Sequence, residues 1–118
     1  MTGREETLAA IERERIAART AVSSGNEGKA RVCARRMAGA ALAWLITVKP
    51  GEHRAVDTMT QLNNLLNDPD AAPDVRDAAA RLTARVSSDF RYPSASDPVD
   101  DAEIIVRYVL AIAGAHGS

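Results

Sequence analysis

The sequence predicts an all-α protein, a compact antiparallel bundle of about five helices forming a single domain over residues 1–118. Three observations carry that expectation. Apolar residues recur at helical spacing along most of the chain. The composition is rich in Ala, Leu, Arg and Glu, which lose little side-chain freedom in a helix, while the aromatic residues that strands favour make up only 3%. Proline and glycine fall between the periodic segments, where they punctuate rather than interrupt. A chain of 118 residues has the size of one domain, and 46% hydrophobic with 26% charged residues is the balance of a folded globule.

The first helix is expected from Thr2, which has the spacing of a capping box with Glu5. Leu8, Ile11, Ala18 and Val22 share one face, and Ser23-Ser24-Gly25-Asn26 ends the helix. The second runs from about Glu27 to Val48, with Cys33, Met37, Ala40, Ala41, Trp44, Leu45 and Val48 on a core stripe. From Met37 onward it is apolar nearly all round, which suits a central helix touched on several sides. Its small residues Ala38, Gly39, Ala40, Ala41 and Ala43 let neighbours come close, and Lys49-Pro50-Gly51 stops it.

The third helix is expected over roughly Arg54 to Asn67, with Val56, Met59, Leu62 and Leu66 inward and Asn67-Asp68-Pro69-Asp70 as the break. The fourth starts at Pro73 with Asp74 and Asp77 near its positive end, and buries Val75, Ala79, Leu82 and Val86. After the irregular Asp89-Phe90-Arg91-Tyr92-Pro93, Asp97 caps a last helix with Pro98 at its first position. Ile105, Tyr108, Val109 and Ile112 form its inner face, and Gly114 or Gly117 ends it. Short connections suit antiparallel neighbours.

Cys33 is the only cysteine, so no intrachain disulfide forms and the chain fits a reducing compartment. The charged N-terminus lacks the apolar stretch of a signal peptide. The longest apolar run, Met37 to Val48, is shorter than the roughly 20 residues of a membrane span. A cytoplasmic protein without a membrane segment is the expectation. The formal net charge is −1, with an uneven distribution. Residues 1–36 hold eight basic groups against five glutamates, and residues 68–103 hold nine acids against four arginines. Such a dipolar chain either orients an encounter and self-associates or presents two solvated faces.

Few residues suggest chemistry. His53 lies at the start of the third helix and His116 near the C-terminus, and neither has an evident partner for acid–base work. Cys33 has Arg31, Arg35 and Arg36 nearby in sequence, yet it falls on the apolar stripe, so a buried thiol is favoured over a reactive one. No metal site and no cofactor are expected, since paired cysteines and His-x-x-x-His spacing are absent from the sequence. Asp100, Asp101 and Glu103 suit the positive end of a helix without any ligand. Gly25-Asn26-Glu27-Gly28-Lys29-Ala30 lacks the spacing of a phosphate loop.

The strongest binding candidate is the cationic set Lys29, Arg31, Arg35 and Arg36. Arginine forks meet the paired oxygens of phosphates and carboxylates. The plainer alternative is a surface paired with Glu27 or with acids of another helix. Without aromatic residues between the cations, a stacking surface for nucleic acid has weak support.

Two segments resemble the HEPN superfamily of small prokaryotic helical bundles. Residues Ala30 to Leu42 are similar to the alanine-rich central helix of those domains, and Asp89-Phe90-Arg91-Tyr92-Pro93 followed by Asp100-Asp101-Ala102-Glu103 is similar to their linker and closing helix. The likeness covers about half of the chain. It implies a helical, often dimeric protein that is either a ribonuclease with an Arg and His motif or the partner of a nucleotidyltransferase. The motif is not matched: His116 lies too far beyond Arg107, and no histidine follows Arg81 or Arg85 within reach.

These readings lead to a non-enzymatic interaction module, a homodimer with Trp44, Tyr108 and Phe90 as anchor residues, or a binder of a partner protein or an anionic ligand. The alternative is a HEPN-type RNA-processing or nucleotide-binding enzyme using Arg31, Arg35, Arg36 and His53.

Overall fold

The computed structural model describes residues 3–48, 57–84 and 97–117, and for residues 48 and 115–117 the backbone alone. Five helices follow one another: α1 (Gly3–Ser23), α2 (Glu27–Val48), α3 (Thr58–Leu66), α4 (Pro73–Thr83) and α5 (Pro98–Gly117). Among the described residues there is no strand. The all-α bundle predicted from periodicity is what the chain forms.

The first reversal of the chain is built from backbone geometry that glycine permits. Gly25 has φ of +77°, its N–H donates to the Val22 carbonyl at 3.1 Å, and the Asn26 N–H donates to the Ala21 carbonyl at 2.8 Å. This pair of bonds is a Schellman motif, which satisfies the carbonyls that the end of α1 leaves open. Asn26 then opens α2, its side-chain oxygen accepting from the Lys29 N–H at 3.1 Å. One residue thus closes one helix and caps the next. The two helices pack side by side as an antiparallel pair, and far from the turn the Arg4 guanidinium lies 5.7 Å from the centre of the Trp44 ring.

The later helices start on side-chain caps or proline. Asp57 accepts from the Thr60 N–H at 2.9 Å and from its hydroxyl at 3.0 Å at the head of α3. Pro73 occupies the first turn of α4. Asp97 accepts from the Val99 N–H at 2.7 Å, with Pro98 between them, at the head of α5.

The core gathers on α2. Met37, Ala38 and Ala41 of α2 pack with Ile11 of α1, Leu62 of α3, Leu82 of α4, and Ile105 and Val109 of α5. Ala18, Cys33 and Val99 form a second small cluster, where α1, α2 and the start of α5 meet. Since Val99 packs beside Ala18 and Glu103 reaches back to Arg15, α5 runs antiparallel to α1 and therefore parallel to α2. The alanine-rich side of α2 allows close approach at one point above all. A Cβ on Gly39 would stand 2.5 Å from the Thr58 Oγ1 and 3.2 Å from its Cβ, so glycine is what lets the head of α3 rest on α2.

Several expected details move. On α1 the inward face is Ile11, Ala18 and Ala21, whereas Leu8 and Val22 are exposed. The longer apolar side chains lie at the edge of the stripe because the small ones occupy the close helix contact. The third helix begins at Thr58 rather than near Arg54, since Asp57 is extended and capping. Its inner face is Gln61, Leu62 and Leu65, leaving Met59 exposed. Capping by Thr2, burial of Val56 and Val86, and the segment Asp89 to Pro93 lie outside the described residues.

Candidate functional site

The four predicted cations do not converge. A helix turns about 100° per residue, so Lys29 and Arg36 share one side of α2 while Arg31 and Arg35 share another. Lys29 and Arg36 are exposed on the outward strip, with Val32 between them, itself 43% exposed. Arg31 and Arg35 turn toward the core. The Arg35 Nε donates to the Leu82 carbonyl at 2.6 Å, satisfying one of the carbonyls that the C-terminal end of α4 leaves open. Arg31 is buried, with 8% of its surface exposed. No ion pair with Glu27 forms among the described residues.

The contact between Arg35 and Leu82 also orients α4. With Arg81 at Asp101 and with Asp68 and Asp70 near Tyr108, α4 runs antiparallel to α5 and hence to α2. Its exposed acids Asp74 and Asp77 lie about 12 and 8 Å along the helix axis from Leu82, and Asp70 is exposed just before the helix. Tyr108 of α5 lies near this end. Burial raises its hydroxyl above the ordinary value, and Asp68 and Asp70 add to the shift.

The acids at the head of α5 divide among different tasks. Asp100 is exposed. Asp101 is 1% exposed and accepts from Arg81 of α4, whose Nε and terminal nitrogen lie 3.0 and 2.7 Å from one carboxylate oxygen. Glu103 meets Arg15 of α1 fork to fork, with distances of 3.0 and 2.7 Å. Arg15 also pairs with Glu12, and Arg19 reaches Glu103 at 3.5 Å. Burial alone would raise the Glu103 carboxyl, but hydrogen bonding and charge from Arg15, with the charges of Arg19 and Arg107, hold it below its ordinary value. These two long-range pairs escape sequence reasoning, because their partners stand 20 and 88 residues apart with no spacing to betray them.

The remaining candidates are quickly placed. Cys33 is a buried free thiol between Ala18 and Val99. His53, Phe90 and the His116 side chain lie outside the described residues. Trp44 and Tyr108 pack half-buried against the main core. Among the described residues, no three side chains of His, Cys, Asp or Glu gather as a metal would require. No described helix is long and apolar enough to cross a membrane.

Comparison with known proteins names no relative. No family model matches the chain, and neither a curated protein nor a solved structure matches it.

Proposed function

We propose that this chain is a non-enzymatic association module that pairs with a second copy of itself. The observation that carries the reading is the separation of exposed charge. Lys29 and Arg36 stand exposed on the outward strip of α2, and Asp70, Asp74 and Asp77 stand exposed just before and within the first half of α4. Two copies related by a two-fold axis and laid antiparallel bring each cationic strip against the acidic stretch of the other. The contact is then made twice, and it steers the encounter as well as holding it. Val32, exposed between the two cations, supplies apolar area at the centre of that strip.

The polar groups between helices support a non-enzymatic role. Arg35, Arg81, Asp101, Arg15 and Glu103 each join one helix to another. Their geometry is that of fastening, with donors and acceptors turned toward partner helices.

Light scattering over a range of concentrations tests the pairing. We expect a dimer at low salt that dissociates as salt screens the charges. Reversing Lys29→Glu with Arg36→Glu is expected to give a monomer, and adding Asp74→Lys with Asp77→Lys to restore the dimer. A monomer at every concentration, or a dimer indifferent to both reversals, overturns the proposal. Incubation with labelled transfer RNA tests the non-enzymatic part, since cleavage abolished by His53→Ala overturns it.

A further inference from the structure

We infer that the outward face of α1 docks against the same face of a second copy, the two helices lying antiparallel about Ile16. The starting point is the large apolar side chain that the fold leaves most open. Ile16 keeps 58% of its surface exposed, more than any other large apolar residue among the described ones. Its place on the helix explains why. Ile11, Ala18 and Ala21 face the core, and at about 100° per residue Ile16 points roughly opposite to all three. Thr20 and Ala9 share its strip, and such small residues let a second helix approach closely.

One exposed apolar residue needs no explanation by itself. The charges beside it are what select an occupant. Glu12 and Arg19 stand on one flank of the strip, before and after Ile16, about 10 Å apart along the axis. Their side chains are 55% and 53% exposed. This order of charges is complementary to itself. A two-fold axis crossing α1 close to Ile16 generates a helix that runs the other way and meets it flank to flank. Glu12 of one copy then stands across from Arg19 of the other, the pair is made twice, and the two Ile16 side chains meet between them.

The contacts within the chain leave room for that pair. Glu12 accepts from Arg15, but a carboxylate takes several donors, and Arg19 reaches Glu103 only at 3.5 Å. The balance of charge also speaks for a second copy over a polyanion. Helix α1 holds four arginines and four glutamates, so a partner of one sign gains nothing from it, while a partner carrying both signs in reverse order does. A single helix crossing buries less than the roughly 1,200 Å² of the smaller stable interfaces, so the contact is weak alone and fills at high concentration. It uses neither Lys29 nor Arg36. Together with the pairing through α2 and α4, it carries assembly past the dimer, because a second two-fold contact links dimers to one another.

Sedimentation equilibrium of the full chain carrying Lys29→Glu with Arg36→Glu isolates this contact from the other. Self-association with a Kd on the order of 0.1–1 mM is expected. Ile16→Glu and Glu12→Arg are each expected to weaken it at least about tenfold, and adding Arg19→Glu to Glu12→Arg to restore it to within about threefold. All three positions are on the surface, so melting curves of the variants are expected to stay close to that of their parent. In the unaltered chain, amide resonances that shift with concentration are expected to include those of Ile16 and its neighbours on the strip. If the α2 pairing fails, the unaltered chain reads the α1 contact directly, and the two proposals are told apart by which charge reversals act. A monomer up to about 1 mM overturns the inference and leaves the face to a partner of another sequence. Association indifferent to Ile16→Glu, or a double exchange that does not restore it, overturns it as well.

Discussion

Two acids on α5, two residues apart, meet two arginines under opposite conditions. Asp101 turns inward to Arg81 of α4, where solvent scarcely reaches the carboxylate. Glu103 turns about 200° away, to Arg15 of α1 at the rim of the bundle. By distance the pairs are equals, each with a closest approach of 2.7 Å. Their surroundings make them different objects. Inside, the Asp101 carboxylate has left water, while the Arg81 side chain keeps 30% of its surface exposed. At the rim, water and salt share in stabilising both ions, so the pair adds little beyond what solvent provides. Distance identifies a contact, and burial decides what its loss costs.

The largest effect should come from breaking the inner pair on one side. Arg81→Ala removes both hydrogen bonds that α4 gives to a carboxylate only 1% exposed, and we expect a loss of about 3 kcal/mol in urea unfolding. A contact without charge provides the intermediate case. Gly39→Ala drives a methyl group into Thr58 and should cost about 1–3 kcal/mol, with no dependence on salt. Replacing both partners of the inner pair, Arg81→Leu with Asp101→Leu, sharpens the comparison. We expect that variant to lie within about 1 kcal/mol of the parent, because it removes the desolvation cost along with the attraction. If the double variant falls as far as Arg81→Ala, packing around the pair and not its charge holds α4 to α5.

What was legible in the sequence follows the same division between local and long-range causes. The limits of α2, the turn through Gly25 and Asn26, and the Asp97-Pro98 start of α5 all rest on interactions within five residues, and they stand where periodicity and capping place them. The inner faces of α1 and α3 depend on which neighbour packs against them. Leu8 and Met59 therefore look inward on a helical wheel and emerge exposed. The cationic candidates show the limit most clearly. Spacing correctly put Arg31 and Arg35 on one side of α2, but nothing local says that Arg35 meets the Leu82 carbonyl, 47 residues away. Nor does it say that Arg31 is covered while Lys29 and Arg36 stay in solvent.

The smallest effects belong to the rim, where pH separates charge from packing. We expect Arg15→Ala to cost about 0.5–1 kcal/mol at neutral pH and less in high salt. Glu103 is held below its ordinary value when folded, so the unfolded chain takes up the proton first as pH falls. The contribution of Glu103 is complete above the ordinary carboxylate range, near about 4, and fades as pH drops through the lowered folded value. Glu103→Gln should therefore melt below the parent at pH 7 and draw level with it in acid. Asp57, lowered by the N–H and hydroxyl of Thr60, remains in both proteins, so both still lose stability in acid. The gap between the two curves is the quantity that decides. A gap unchanged from neutral pH to about 2 would mean that Glu103 holds α1 by its methylene groups and not by its charge.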